Sequence, residues 1–442
     1  MRLTAWLPLA VLSALAVCGG ATRPRYGGTL RVEMHAAPAA LDPAAPDAAP
    51  LAALVFEALV RLDDAGAPQP CLALSWQHDA AAKRWQFSLR PGVRFHDGSP
   101  LTVGAAAASL QSALPGLAIA ATGDAVTIRS NRSRPDLLLE LARNGWLATG
   151  PFRPTVFEPG QRATLAANDD YWDGRPFPDS IDVQLGRSLR DQLLDLDLGK
   201  ADVVEVAPTD LHHAAGHGRT IWSSAAVSLI ALAFAPASGH DDAARLREAL
   251  ALSIDRAAMH AVLLQKQGEV TAALLPQWIS GYAFVFPAAP DLPRARALAG
   301  ALPPAARTLT LSYDPGMRAA RSISERVAVN ARDAGLTVKV SPLDPRADLR
   351  LVEVRVNSPG PAQALAGLAA ALGLPPPDES AASPAALYES ERKMLEDFRV
   401  VPLFQLPVIY GAAARVHLYA PSPITRLGDW RFDNVWLSGT PP

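Results

Sequence analysis

Between Thr308 and Val340 the chain reads as a strand, a helix and a second strand, and no other stretch constrains the fold as much. Thr308–Tyr313 has strand composition. Met317 to Ala334 carries Ile323, Val327, Ala331 and Ala334 at helical spacing. Gly335 stands where that helix would end, and Leu336, Val338 and Val340 then resume a two-residue period. Two strands joined through a helix lie side by side in a parallel ladder, because a tight turn joins only antiparallel neighbours. This part of the chain is therefore expected to hold a parallel sheet.

The remaining segments fit a mixed α/β protein of two or three domains, since 442 residues that are 49% hydrophobic can bury more than one core. Strands are expected at Thr29 to Met34, Trp85 to Leu89, Ala125 to Arg129, on both sides of Pro159-Gly160, and at Ile181 to Leu185. Others are expected at Asp202 to Val206, Ser228 to Phe234, Leu349 to Val356 and Val400 to Gln405. A Pro91-Gly92 turn should lead into one more strand through Phe95. Leu51, Leu54, Val55, Leu59 and Leu62 have a helical period. Further helices are expected at 103–114 behind a Thr102 cap, and at 187–198 with Leu189, Leu193, Leu194 and Leu196 inward. Asp241 or Asp242 can cap the helix that carries Leu246, Leu250 and Ile254, Asp255 can cap the next, and Leu387 to Phe398 is a last helix.

The N-terminus has the order of an export signal. Arg2 is the charged start, and Trp6 to Val17 is an apolar run too short to span a bilayer. Two endings stay open: an A-x-A cleavage site at Ala14-Leu15-Ala16, or a lipobox-like LAVC with Cys18 acylated. Either removes Cys18 from disulfide chemistry and leaves Cys71 alone, buried beside Leu72 and Leu74. No later segment is apolar for long enough to be a transmembrane helix, so the membrane is reached only through such an anchor. A net charge of -2 with scattered Lys and Arg gives no footprint for nucleic acid.

No nucleophile elbow, Walker loop, H-E-x-x-H or C-x-x-C is present, so nothing points to catalysis or to a cofactor. His96-Asp97-Gly98 reads as a hairpin turn, and Tyr171-Trp172 as an anchor for its loop. His213 and His217 would share a helix face near His212, but Gly216 and Gly218 weaken the helix and no metal set is completed. Glu353 and Arg355 share one face of their strand near its C-terminal end, where open α/β sheets place ligands. They read either as an ion pair or as cleft residues, Arg355 then suiting a carboxylate or phosphate. His35 and Ala36 after the first strand, Gln405 and Tyr410 near the last, and Trp278 complete the binding candidates.

Two segments, SLRPGVRFHDGSPL from residue 88 and LAANDDYWDGRPF about seventy residues later, resemble signatures of bacterial extracellular solute-binding proteins of family 5. GGTLRV with LDP, LGKADVVEV, LREALALSIDRAAM and VVPLFQLPVIYGAAARV follow the family's order. The resemblance implies a periplasmic-binding-protein-like fold: two α/β lobes with a hinge and an extra α+β subdomain on the first. Residues 1–21 would be the signal. Lobe one would use 26–40, 150–230 and 402–440, the subdomain 41–149, and lobe two 231–401. It implies a monomeric, extracytoplasmic substrate-binding component of an ABC importer. Such a protein captures a peptide-like or other small polar solute and delivers it to an inner-membrane permease, with no cofactor. A sensory or scaffolding protein that kept the fold, or a metal-binding protein, remains the alternative. One departure stands out. Where peptide-binding members carry an acidic segment that pairs with the ligand's amino group, this chain reads VNSPGPAQ, with Asn357 and Ser358 in place of acids. With Arg355 two residues earlier, the cleft is expected to favour an anionic or neutral polar ligand over a cation.

Overall fold

The structure, a computed structural model, describes residues 23–45, 47–63, 66–79, 81–114, 116–144, 146–235, 241–356, 358–377, 383–420 and 422–439. Cys18 and Asn357 lie outside the described residues.

Among these residues an eleven-stranded sheet runs through the molecule. Its order is Thr337–Pro342, Thr308–Tyr313, Leu349–Arg355, Thr220–Phe234, Val400–Ala412, Val203–Glu205, Thr29–Glu33, Ser180–Gln184, Arg162–Ala167 and Phe152–Glu158, with Glu269–Val270 paired to Val400–Ala412. The expected crossover is present: Thr308↔Thr337 through Tyr313↔Pro342 pair in parallel, and Ala320–Asp333 buries Ile323, Val327 and Ala331 against them.

The two central strands are the longest, fifteen and thirteen residues, and they run antiparallel. Thr220–Ser223 pairs with Ile409–Ala412, beside Val203–Glu205 in the first half of the sheet. Ser228–Phe234 pairs with both Val400–Leu406 and Leu349–Arg355 in the second half. Between Ser223 and Ser228 the register shifts twice, opposite Pro407. A proline removes a ladder donor, and bulges bend a strand, so the pairing is weakest where the chain passes from one half to the other. Expectation covered only the second-half portions of both strands. Every residue of Val400–Ala412 is buried, so no alternation marks where the strand continues.

The cores follow from strand periodicity. Leu229 and Ala231 enter one core with Leu365, Leu387 and Met394, while Ile230 and Leu232 enter another with Leu311, Ile323 and Leu403. The first half buries Leu30, Val32, Ile181, Val183, Tyr410, Trp430 and Phe432. A separate four-stranded antiparallel sheet, Ala73–His78, Arg84–Leu89, Ala125–Arg129 and Ala118–Thr122 in spatial order, packs Trp85, Phe87 and Ile128 against Leu110 and Leu141. Thr102 and Asp255 cap their helices as expected, accepting from Ala105 N and Ala258 N at 3.1 and 2.9 Å.

Four local readings are corrected. The helical period at 51–62 produces only the turn Ala49–Ala52; Glu57 then bridges Leu147, and Val60–Leu62 pairs with Pro68–Pro70. Leu51, Leu54, Val55 and Leu59 are still buried, so the apolar positions were satisfied without a helix. After Pro91-Gly92 no strand forms: Arg94 makes one isolated bridge to Pro100, and the edge of the small sheet is taken by Ala73–His78. In the helix Leu189–Asp197, Leu194 is 53% exposed, and Gln192 and Asp195 are buried instead. Gln192 bridges Arg187 O and Glu205 N, and Asp195 binds Arg187, so these polar groups are satisfied where they sit. Cys71 and Leu72 are buried as expected, but Leu74 faces solvent.

Candidate functional site

A cavity of about 550 Å³ opens where the two halves of the sheet and the small unit meet. That volume suits a small ligand. Its walls come from three parts of the chain. Ala49, Ala52, Ala53 and Phe56 form an apolar shelf after the first strand. Arg143 and Trp146 come from the end of the helix Leu137–Asn144 and just beyond it. Trp278, Arg355, Val356 and Pro359 come from the second half, facing a C-terminal turn that contains Thr425, Leu427 and Asp429.

Arg355 ends the strand Leu349–Arg355 and reaches across to that turn. Its Nη2 donates to Leu427 O at 2.6 Å and pairs with Asp429 at 3.3 Å. The turn is closed by Gly428 N to Thr425 O at 2.8 Å, and Gly428 has φ +84°. A Cβ there would lie 3.2 Å from Arg355 Nη2, so glycine serves both the turn and the close approach of the guanidinium. Glu353 does share a face with Arg355, but the two do not pair. Glu353 bonds Arg318, which also donates to Pro407 O at 3.3 Å and Ser228 Oγ at 3.4 Å. Burial would raise the Glu353 pKa, yet the Arg318 charge outweighs it and holds the carboxyl below its usual range. Glu353 is thus tied to the central strands and is not among the cavity-lining residues.

Trp278 sits in the single turn Gln277–Ser280. Its indole N–H donates to Ala226 O at 2.8 Å, and Arg426 lies 4.3 Å above its ring. Beneath this turn, the buried Glu391 carboxylate accepts from Leu274 N, Leu275 N and Tyr282 Oη. Across the cavity Glu57 is buried and accepts from Thr149 Oγ1, Tyr171 Oη and Trp172 Nε1 at 2.8 to 3.2 Å. Burial pushes its pKa up against these donors. Tyr171-Trp172 accordingly anchors its loop, with Arg90 stacked 3.9 Å over Trp172.

The other candidates lie away from the cavity wall. His35 donates its backbone N–H to Glu205 at 3.1 Å and stands beside Gly316 of the second half. Ala36 packs on the first core. Gln405 is fully buried and donates to Leu274 O at 2.6 Å. Tyr410 is buried against Trp430, ring centroids 6.3 Å apart. Asp97 caps its own turn through Ser99, and His213 pairs with Asp197 at 2.9 Å. Among the described residues no group of three or more His, Cys, Asp or Glu is gathered to hold a metal. No helix among them is long and apolar enough to cross a membrane. Sequence reading missed Arg143, Trp146, Phe56 and the 425–430 turn. The available signal was the run LLLELARNGW, an apolar helix ending in a cation and an aromatic beside a glycine.

The sequence aligns with the nickel-binding protein NikA of Staphylococcus aureus at 25% identity over 180 residues, 35% of this chain and 36% of that one. It aligns with the oligopeptide-binding protein AppA of Bacillus subtilis at 26% over 156 residues, 35% and 28% of the two. The matched stretches thus span about a third of these relatives. The fold likeness extends further. The structure of S. aureus NikA in complex with Ni(L-His)2 superposes with a TM-score of 0.80 at 16% identity, over 93% of this chain and all of that one. That of B. subtilis AppA with a nonapeptide does so at 0.76 and 18%, over 94% and all of it. The fold is therefore the mixed α/β, periplasmic-binding-protein-like one. The model described as bacterial extracellular solute-binding proteins, family 5 middle, matches residues 67–117 and 140–377, well over half of the sequence, and the chain belongs to that family.

Proposed function

We propose that this protein is the substrate-binding component of an ABC importer, closing two lobes on a small polar solute and handing it to a membrane permease. It performs no chemistry and works as an extracytoplasmic monomer anchored through Cys18. Lobe one comprises 26–40, 150–230 and 402–440, with 41–149 as its extra subdomain, and lobe two comprises 231–401. The observation that carries this reading is the cavity itself. It is walled from both sides of a two-stranded connection whose pairing is interrupted at 223–228 and Pro407. Such an arrangement suits hinge closure around a ligand. Relatives named for nickel and for oligopeptides belong to the same class of binder.

Native mass spectrometry of the protein as purified would identify a retained ligand. Adding that ligand to stripped protein should lower the radius of gyration in small-angle scattering and raise Tm by mass action. A bound ligand that changes neither overturns hinge closure. Mass analysis of the membrane-extracted protein should show a mature chain starting at a lipid-modified Cys18; an unmodified start removes the anchor from the reading.

A further inference from the structure

We infer that Arg143 and Arg355 together hold the anionic head of the solute, and that the solute is a small carboxylate with an apolar body. This rests on the reading of the cavity as the solute site and names the class of solute.

The Arg143 side chain makes no hydrogen bond or ion pair with any described residue, although it is half-buried at the cavity wall. Burial pushes its pKa down, with Asp429 near enough to oppose that and Arg355 near enough to add to it. A guanidinium nevertheless keeps its proton, so the wall carries a partly desolvated cation that lacks a protein acceptor. Such a group is costly unless something pairs with it. Arg355 is only partly engaged: its bonds to Leu427 O and Asp429 use Nη2 alone, and a guanidinium has five N–H donors. The Asp429 carboxylate also accepts from Thr425 Oγ1 at 3.4 Å. Two arginines therefore share one carboxylate that is already bonded, and the local charge is positive.

Of the four other wall carboxylates, Asp173 lies beside Asp433, and the remaining three are already engaged. Glu57 is occupied by three strong donors, and Asp63 accepts from Ala67 N and Gln69 Nε2. Asp433 accepts from Asn434 Nδ2 at 2.5 Å, and burial holds it toward its neutral form. Beside Arg143 the wall turns apolar. Trp146 donates its N–H to Arg143 O, which holds the indole to the end of that helix, and Phe56 and the shelf of Ala49, Ala52 and Ala53 line the same cavity. A carboxylate between the arginines would place an attached hydrocarbon or ring against this shelf, where its burial from water is favourable.

Three probes with one body and different heads test the inference: 3-phenylpropionate, 3-phenylpropionamide and 3-phenylpropylamine, titrated calorimetrically into stripped protein. The carboxylate should bind about tenfold or more tightly than the amide, with the ammonium weakest. Arg143→Met, which keeps the stem volume, should remove that preference while leaving amide affinity within about twofold, and Arg143→Lys should keep part of it. Circular dichroism of each variant establishes that it is folded. Equal affinity for the three heads, a preference for the ammonium, no binding of the carboxylate at millimolar concentration, or a preference that survives in Arg143→Met overturns the inference. So does a co-purified ligand without an acidic group. That last ligand, if it still lowers the radius of gyration, leaves the solute-capture reading standing.

Discussion

The indole nitrogen of Trp278 lies 2.8 Å from the main-chain oxygen of Ala226, inside the stretch where the central strands lose register. One side chain of the second half thus satisfies a carbonyl that the interrupted ladder leaves open. Trp278→Phe keeps the ring under Arg426 and removes only the donor. It should lower unfolding stability by about 1 kcal/mol in urea titration. A variant as stable as the parent would mean that water replaces the bond without loss.

Glu57 joins four separated segments through Cys71, Thr149, Tyr171 and Trp172. Replacement by leucine leaves all four donors without this acceptor and should cost about 3 kcal/mol or more. Glu57→Gln retains one acceptor oxygen and should cost about 1–2 kcal/mol. Chemical denaturation of the pair against the parent checks the order, and a leucine variant no worse than glutamine would show that the network contributes little.

Two buried carboxyls make stability depend on pH. Burial raises Glu391 to about 7, against the lowering effect of Tyr282 and two backbone N–H groups. Burial and the neighbouring Asp195 raise Glu33 to about 7, against Arg187. A raised carboxyl holds its proton longer in the folded state than in the unfolded one. The contribution of these two groups to stability is therefore full below about pH 4.5, falls as pH rises toward 7, and is level above that. Glu391 accounts for about 3 kcal/mol of that fall at most. Glu391→Gln should flatten the profile between pH 5 and 7 without abolishing it, since Glu33 still titrates. Denaturation midpoints measured across that range, unchanged in slope, would contradict it.

Gly268 precedes the short strand Glu269–Val270 with φ +78°, and a Cβ there would lie 2.3 Å from Gln405 O and 2.8 Å from Leu406 Cδ2. Both backbone conformation and space exclude a side chain. Gly268→Ala should destabilise by about 2 kcal/mol or more and loosen the pairing with Gln405 and Phe404, read as faster amide exchange at Thr271, whose N–H donates to Leu403 O. Exchange and stability equal to the parent would place the strain elsewhere.

Much of the scaffold was legible because its signals are local. The helix Ala320–Asp333 has one buried face, and Thr102 and Asp255 are capping residues at the right offsets. The central strands were only half legible. Serines and alanines at 223–228 and the proline at 407 look like breaks, and they are breaks in pairing inside a continuing strand. Of the residues singled out in the sequence, Arg355 and Trp278 line the cavity, one named from strand period and the other from its turn context. The burial of Gln405 was not legible. On a strand buried along its whole length, period two says which face a residue takes but not that both faces are interior. Arg143 gave too little signal because its lack of a partner is a property of the folded surroundings.

The interrupted ladder has a mechanical consequence. Ile230 and Leu232 point to one side of the central strands, and Leu229 and Ala231 to the other. Arg318 grips Ser228 and Pro407 from the first side, and Trp278 grips Ala226 from the second. A sheet that flexes at this place stretches the contacts on its convex side and compresses those on its concave side. Under the proposed hinge closure the two side chains would act as opposed end-stops, each limiting travel in the direction the other allows, and the reach of one arginine and one tryptophan would set how far the halves swing.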